Sequence, residues 1–427
     1  MSTTSSFDSN TEGRTQPTAL VIYRKEHDDS RDELIRLLDA LGIDTVQAVP
    51  IRLDKPKPGL LVGSGKAREI ADLAEAMSAD YMAFDEDLSA AQERNWEQLS
   101  GRSTLDRHEV ILRIFEMHAT TREARLQVEL ARSEHMLPRL RRAWTHLSRQ
   151  RGGAKGTRGE GEKQLEADRR SVQERIGAIK KELRQVGEQR ELRRKRRQDV
   201  PVPMGALVGY TNAGKSSLLR ALTGADVAIN DAPFVTLDPT TRRLHLSSGL
   251  EVVLSDTVGF IQRLPHQLID AFHSTLEEAL ISDFLILVLD GSSPEARQHV
   301  RTSQEVLAEI GAENRPMLVV LNKADAAGDP LRLDLEARRL GAELSAPTVI
   351  VSARTGRGLE ELRDAIAGMV SAHHRAGRYL LPYERSDLAA LVHRTGVVLD
   401  EEYASEGIRI SAYVPDRTHG ILAPFVA

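Results

Sequence analysis

Four short stretches, in a fixed order, constrain this chain more than anything else in it. Residues 209–216 read GYTNAGKS, 256–259 read DTVG, 322–325 read NKAD and 352–353 read SA. Each follows an apolar run. Met204–Val208, Glu251–Ser255 (carrying Val252, Val253 and Leu254), Met317–Leu321 and Thr348–Val351 read as strands, and Ser217–Leu222 has helical spacing. Strands alternating with helices predict an α/β domain with a mostly parallel sheet flanked by helices. The loops, taken in order, describe a guanine-nucleotide site from phosphate to base.

The first loop fits G-x-x-x-x-G-K-[ST], in the strand–loop–helix context that motif requires. Gly209, Tyr210, Thr211, Asn212, Ala213, Gly214, Lys215, Ser216 and Ser217 are expected to wrap phosphates. The glycines let backbone N–H groups turn toward the anion. Lys215 is expected to reach the β- and γ-phosphates, and Ser216 to bind Mg2+. In the second loop Asp256 is placed to hold Mg2+ through water, Thr257 and Val258 follow it, and Gly259 can offer its N–H to the γ-phosphate. Between the two lies PFVTLDPTTR, residues 233–242, a switch-type loop in which Thr236, Thr240 and Thr241 compete to complete the Mg2+ shell. An upstream GSGK, residues 63–66, only imitates a phosphate loop. Leu60 stands where the first glycine belongs and Ala67 replaces the Ser or Thr, so this reads as a strand-to-helix turn.

At the base end, the Asp325 carboxylate can accept two hydrogen bonds, from guanine N1–H and its exocyclic amine. Adenine offers neither there, and a site built to receive donors rejects a ligand without them by several powers of ten. Asn322, Lys323 and Ala324 support this loop and cover the ring. Ser352 and Ala353, followed by Arg354, are expected to bring a backbone N–H to the guanine oxygen. GTP is therefore the expected substrate and GDP the product.

In Ras-like enzymes a Gln just after the second loop orients the attacking water. Here that residue is Phe260. Intrinsic hydrolysis is expected to be slow and to need help, from a partner or from a monovalent cation such as K+ near Asn212. The bland alternative for Asn212 is a loop-stabilising amide.

The chain has 427 residues, enough for two or three domains, and no cysteine, which excludes disulfides, thiolate metal sites and thiol nucleophiles. It suits a reducing, cytoplasmic setting. No apolar run approaches a membrane span; the longest, Phe284–Leu289, reads as a buried strand, so any membrane contact would come through a partner. The net charge of −5 hides an asymmetry. Residues 118–199 hold 23 Lys/Arg against 12 Asp/Glu, a net of +11, which leaves −16 for the remainder. A basic module inside an acidic chain points to a polyanionic partner.

In that module Leu126, Leu130, Leu137, Leu140, Trp144 and Leu147 recur at helical spacing, as do Leu165, Val172, Ile176, Ile179, Leu183 and Val186. RGGAKGTRGEGEK, residues 151–163, lies between them with five glycines. The expected structure is a long antiparallel helical hairpin over 119–199, with a Gly-rich tip, reaching roughly 40 Å. Arg149, Arg151, Lys155, Arg158 and Lys163 would contact RNA phosphates without reading sequence. The run RELRRKRR, 190–197, reads more simply as a solvated helix end.

The remaining segments complete a multidomain α/β plan. Residues 1–17 read as a disordered tail. Residues 18–118 read as an N-terminal α/β domain, with strands at Ala19–Tyr23 and Tyr81–Phe84 and helices at Leu34–Leu41 and Ala67–Met77. Residues 200–371 form the P-loop domain. Residues 372–427 read as a small C-terminal α/β domain, with His373 and His374 as surface residues.

With these motifs in view the chain resembles the HflX family of ribosome-associated GTPases, from about residue 18 to the end. The distinctive stretches are VGSGKAREI (62–70), LDRHEVILRIF (105–115), LQVELARSEHMLPRLRRAWTHLSRQRGG (126–153), GTRGEGEKQLEADRR (156–170) and GYTNAGKSSLLRALTGA (209–225). The resemblance implies that Thr236 is the switch threonine that binds Mg2+ with Ser216. Phe234, Val235, Leu237 and Asp238 would flank it on the nucleotide, and Lys215, Thr236 and Gly259 would act on the reacting phosphate. It also implies that the partner is the large ribosomal subunit and its RNA, with the hairpin tip directed at its catalytic centre. A role in splitting or rescuing stalled ribosomes, or in subunit maturation, and stimulation of a slow GTPase by ribosomes would follow. The tip departs from the family's GGGIGTRGPGETQLE. Ala154-Lys155 replaces Gly-Ile, Glu160 replaces Pro and Lys163 replaces Thr. Two other classes compete: an RNA-remodelling protein regulated by GTP, and a signalling switch using the hairpin as a protein-binding coiled coil. DNA is not an expected partner, and a monomer is the expected state in solution.

Overall fold

The computed structural model describes residues 16–26, 28–53, 55–150, 158–198, 202–224, 234, 240–246, 250–263, 278–371 and 374–427, with only the backbone described at 28 and 374 and over 140–150, 158–165 and 189–198. The tail (1–15), most of the hairpin tip and the switch residues Val235, Thr236, Leu237 and Asp238 lie outside the described residues, as does His373. Two compact units emerge. One takes the chain up to Met117 together with Arg132–Ile176, and the other takes His118–Ala131 with Gly177–Ala427.

In the first unit, strands β1 (Thr18–Arg24), β2 (Asp44–Ile51), β3 (Tyr81–Phe84) and β4 (Ser103–Asp106) form a parallel sheet in the order β2-β1-β3-β4. Helices α1 (Asp28–Ala40), α2 (Ser64–Ala76), α3 (Ala90–Ser100) and α4 (Arg107–His118) connect and flank them. Leu20, Ile22, Phe84 and Trp96 share one core cluster, and the Trp96 ring tilts onto Phe84 at 5.0 Å. Sequence reading missed β2 and β4, and the GSGK segment needs a correction. Helix α2 starts at Ser64, but a tight turn closed by an antiparallel bridge between Lys57 and Leu61 precedes it, not a strand.

Arg107, at the β4–α4 junction, is only 2% exposed. Its guanidinium pairs with Glu33 and with Oδ1 of Asp85 at 2.7 Å. This ion triad ties the C-terminal ends of β3 (Asp85) and β4 (Arg107) to α1 (Glu33). Beside it, Arg139 donates to Asp106 Oδ2 and Glu93 Oε2, each at 2.8 Å, while the His135 ring stacks on His108 at 4.1 Å.

Two long helices follow, α5 (Arg122–Gln150) and α6 (Arg158–Gln198). Only residues 151–157 separate them, and Arg122 pairs with Glu182 at 2.8 Å, so α6 runs back along α5. Where side chains are described the apolar stripe is covered: Leu126, Leu130 and Ile179 are buried, and Leu137, Val172, Ile176, Leu183 and Val186 are half-buried, while the side chains of Leu140, Trp144, Leu147 and Leu165 lie outside the described residues. Helix α6 has 41 residues and continues through the basic run 190–197. At 1.5 Å per residue it spans about 60 Å, longer than the arm expected from sequence.

The P-loop domain is a six-stranded sheet in the order β10-β9-β8-β5-β7-β6, from β5 (Met204–Val208), β6 (Thr241–His245), β7 (Glu251–Asp256), β8 (Phe284–Asp290), β9 (Met317–Asn322) and β10 (Thr348–Ile350). Only β6 runs antiparallel to its neighbour. Core clusters cover both faces, one built around Leu285, Leu287 and Val319, the other around Ile286, Val288 and Val320. Burial on both faces explains why β8 reads as an unbroken apolar run. Helices α7 (Lys215–Thr223), α8 (Ala296–Glu309), α9 (Pro330–Leu344) and α10 (Leu359–Ser371) flank the sheet.

A three-stranded antiparallel sheet, β11 (His374–Leu381), β12 (Val397–Ala404) and β13 (Gly407–Pro415), closes the chain in the order β11-β13-β12. It packs against α11 (Ser386–Thr395) and α12 (Asp416–Leu422), with Tyr379, Val392 and Ile410 fully buried.

Candidate guanine-nucleotide site

Strand β5 sits where the strand order reverses, with β8 on one side and β7 on the other. Loops leaving the C-terminal ends of such strands converge on one crevice, and all four sequence stretches lie there. Gly209 and Gly214 make the phosphate-loop turn possible. They hold φ of 137° and 90°, and a Cβ at either would lie 2.3 Å from Val288 O or Asn322 Nδ2 respectively. Asn212 also adopts a left-handed backbone, φ 58°, which Asn tolerates better than most residues. Helix α7 therefore opens at Lys215 with its N-terminal N–H groups facing the crevice.

Lys215 is 7% exposed, and its ammonium donates to the carbonyls of Gly209 (3.0 Å) and Tyr210 (2.9 Å). Burial pushes its pKa down to about 8, against a smaller opposing pull from Asp256. Ser216 Oγ donates to Asp256 Oδ2 at 2.6 Å. A hydroxyl and a carboxylate oxygen this close, both hard oxygen donors, suit Mg2+. No cluster of three His, Cys, Asp or Glu side chains competes among the described residues. Gly259 packs tightly against the phosphate loop; a Cβ there would meet the Thr211 Cα at 2.8 Å and the Lys215 ammonium at 3.1 Å. Thr257 Oγ1 donates back to Leu207 O at 2.7 Å and fixes the start of the loop.

At the base end, Asn322 spans three motifs. Its Nδ2 donates to Ala213 O in the phosphate loop at 2.9 Å, and its Oδ1 accepts the Ala353 N–H at 3.0 Å. Asn322 is 2% exposed, so these bonds are shielded from water. Ser352 Oγ donates to Asp325 Oδ1 at 2.6 Å. That hydrogen bond, with smaller help from Arg354 and Lys323, holds the Asp325 carboxyl below the usual carboxylate range against the opposing effect of burial. The Asp325 side chain is 19% exposed and thus ionised and reachable. Arg354 lies 3.7 Å from it and is largely in solvent.

Three family profiles match the chain. "GTP-binding GTPase N-terminal" covers residues 28–116, "GTP-binding GTPase Middle Region" covers 118–197, and "50S ribosome-binding GTPase" covers 205–323. A GTPase HflX from Akkermansia muciniphila is 46% identical over 403 residues, spanning 93% of this chain and 92% of its own. A GTPase HflX from Spirochaeta thermophila is 43% identical over 408 residues, spanning 94% and 97%. The chain belongs to the HflX GTPase family. Escherichia coli GTPase HflX is 39% identical, covering 93% of each chain. Among solved structures, a GTP-binding protein from Sulfolobus solfataricus in complex with GDP is 29% identical, covering 83% of this chain and 98% of that one, with a TM-score of 0.45.

This HflX-family protein is accordingly a GTPase, and GTP binding is a property of its family. Of the residues read from sequence, Ser216 meets Asp256 and Gly259 packs on Lys215 at the phosphate loop, while Asn322 meets Ala213 and Ala353, and Ser352 meets Asp325, at the base end. Of the switch loop the structure describes Phe234, which is 3% exposed with φ 61°, and Thr240 to Arg242: Thr240 O accepts the Asp256 N–H at 3.0 Å, and Thr241 opens β6. Sequence reading missed Asp290, at the end of β8, which pairs with Lys323 Nζ at 2.8 Å and steadies the base loop. Its signal was an acidic residue closing an apolar strand. It also missed the side chain of Tyr210, which turns away from the crevice into the core beside Phe260. No local pattern marks that direction. Among the described residues, no helix is long and apolar enough to cross a membrane.

Proposed function

We propose that this HflX-family GTPase works in the cytoplasm on the large ribosomal subunit, as a monomer whose GTP state favours ribosome binding and whose hydrolysis step releases it. The Asn322 bridge carries the nucleotide part of this reading. One buried amide connects phosphate loop, base loop and Ser352-Ala353 strand end, so phosphate and guanine contacts form as a unit. Asp325 reads the base, Lys215 faces the β- and γ-phosphates, and Gly259 offers its N–H to the γ-phosphate. Ser216 and Thr236 would hold Mg2+, which when bound neutralises charge on the phosphate oxygens.

Phe260 supports the slow intrinsic rate. It is 2% exposed and packed in the core, so no side chain at this position orients a water. Stimulation by the ribosome fits that gap. The basic hairpin, with a tip at 151–163 whose residues from Arg158 onward already belong to α6, is the natural sensor: lysine and arginine on it would meet RNA phosphates. Splitting or rescuing stalled ribosomes, or maturing subunits, is the task we assign to that contact. A cation at Asn212 is a second source of help, tested by exchanging K+ for Na+ during turnover.

The deciding experiment is GTP turnover by the full chain, alone and with purified large ribosomal subunits. Strong stimulation is expected. Replacing 151–163 with a short neutral turn should spare intrinsic turnover and abolish stimulation. Binding of free RNA that persists with GDP, without ribosome stimulation, would favour an RNA-remodelling role instead.

A further inference from the structure

A phosphate loop wraps its anion with backbone N–H groups, so the residue after its first glycine needs no aromatic ring. Tyr210 nevertheless places one in the core, 4% exposed. Its ring stacks on His299 of α8 at 3.8 Å between centroids and 15° between planes. Its phenol oxygen accepts the Gln262 N–H at 2.9 Å. Gln262 lies three residues beyond Gly259, on the far side of the loop expected to read the γ-phosphate.

The main chains of the two loops are also fastened together. Tyr210 and Phe260 form a parallel bridge, in which Thr211 N–H donates to Phe260 O (2.8 Å) and Phe260 N–H donates to Gly209 O (3.0 Å). The same Gly209 carbonyl accepts from the Lys215 ammonium. Three hydrogen bonds thus join 209–211 to 260–262, with Gly259 pressed against Thr211 and Lys215 beside them. Two are backbone bonds that any sequence could form. The third exists only because residue 210 carries a phenol.

We infer that Tyr210 is a positioning residue that joins the phosphate loop to the γ-phosphate-reading loop and so sets the preference for GTP over GDP, an inference that rests on the nucleotide site proposed above. A ligand shifts a conformational equilibrium only by its differential affinity for the two states. GTP presents a γ-phosphate to Gly259 and GDP does not. Holding Gly259 in place beforehand lowers the ordering cost of GTP binding alone. The ring stack on His299 fixes where the phenol points, and the phenol fixes Gln262.

The test is Tyr210→Phe in the full chain, which keeps the ring and its stack and removes one oxygen. Affinities for GDP and for a non-hydrolysable GTP analogue are measured alongside amide hydrogen exchange in the 258–263 segment. Loss of one shielded hydrogen bond is expected to weaken analogue binding by about three- to tenfold. GDP affinity should move less than about twofold, and exchange at 258–263 should accelerate. Equal weakening of both ligands would reduce Tyr210 to a packing residue and overturn the inference, as would unchanged affinities for both. If the unaltered protein bound neither ligand, the nucleotide site itself would fail, and that outcome is read before the variant is made. A melting curve of Tyr210→Phe separates misfolding from the affinity split. If it melts early, His299→Ala, which keeps the phenol but removes the ring that aims it, takes its place: a loss of analogue affinity exceeding that of GDP is expected, and an equal change or none would overturn the inference.

Discussion

Ser216 Oγ donates a 2.6 Å hydrogen bond to Oδ2 of Asp256, across 40 residues of sequence. The hydroxyl leads helix α7 and the carboxylate ends β7, so this bond joins the phosphate loop to the loop carrying Gly259. Both oxygens belong to the set expected around Mg2+. Their closeness follows from β5 and β7 being parallel neighbours in register, with Leu207 opposite Asp256.

Lys215→Ala should abolish nucleotide binding while leaving the fold nearly as stable. The lysine is a buried cation, and the carbonyls it meets also accept backbone N–H groups, from Phe260 at Gly209 and from Ala213 at Tyr210. Its loss therefore strands no acceptor, and the stability change should stay within about 1 kcal/mol. Calorimetric titration with GDP and a urea melt check both halves; unchanged GDP affinity would refute the phosphate assignment.

Asn322→Ala removes two shielded hydrogen bonds that bridge three motifs. At a net 0.5–1.5 kcal/mol each, nucleotide affinity should fall roughly ten- to hundredfold. The fall should be similar for GTP and GDP, because the bridge supports the base and the loop, not the γ-phosphate. Competition binding with both nucleotides measures it.

Gly209→Ala should destabilise the P-loop domain by more than about 2 kcal/mol. The backbone there has φ 137°, and the added methyl would meet the Val288 carbonyl at 2.3 Å in the middle of a buried strand that cannot yield. A denaturation curve showing wild-type stability would contradict the geometry.

Arg107→Leu should unfold the N-terminal unit selectively. The change leaves Glu33 and Asp85, both buried, without the guanidinium between them, and breaking a buried pair typically costs about 3–5 kcal/mol. Fluorescence of Trp96, followed in a Trp144→Phe background, reports on this unit, while GDP binding reports on the other.

Acid should weaken the same unit. Burial, with His135 adding, pushes the His108 pKa down to about 4 from an ordinary 6.5. Between those values the unfolded chain binds a proton that the folded one refuses, so stability falls as pH drops from 6.5 toward 4, by up to about 3 kcal/mol. His108→Gln should flatten the Trp96 unfolding midpoint over this range. An unchanged pH slope would show that His108 is not the responsible group.

Much of the site was legible because its motifs are local. GYTNAGKS needs its glycines at 209 and 214 for backbone reasons, and NKAD must follow a strand. Strands β5, β8 and β9 were equally plain, since sheets covered on both faces need continuous apolar runs. The short strands β2 and β4 were less so. Asp44–Ile51 mixes exposed and buried residues at a sheet edge, and Ser103–Asp106 offers only four residues of pattern.

What the sequence determined by itself, then, was the GTPase class: four loops in order, a basic module and a phenylalanine where a water-orienting side chain would stand, from which the roles proposed for Asp325 and Lys215 follow. Only the tertiary structure decided how those loops depend on one another. Asn322 touches the phosphate loop, Lys323 finds Asp290, Tyr210 turns inward to Gln262, and Arg107 lodges between Glu33 and Asp85. The physical reason is range. Turn geometry and strand periodicity act over a few residues and leave a mark in the sequence. A side chain's choice among distant partners is set by sheet order and packing, which no short stretch of the chain contains.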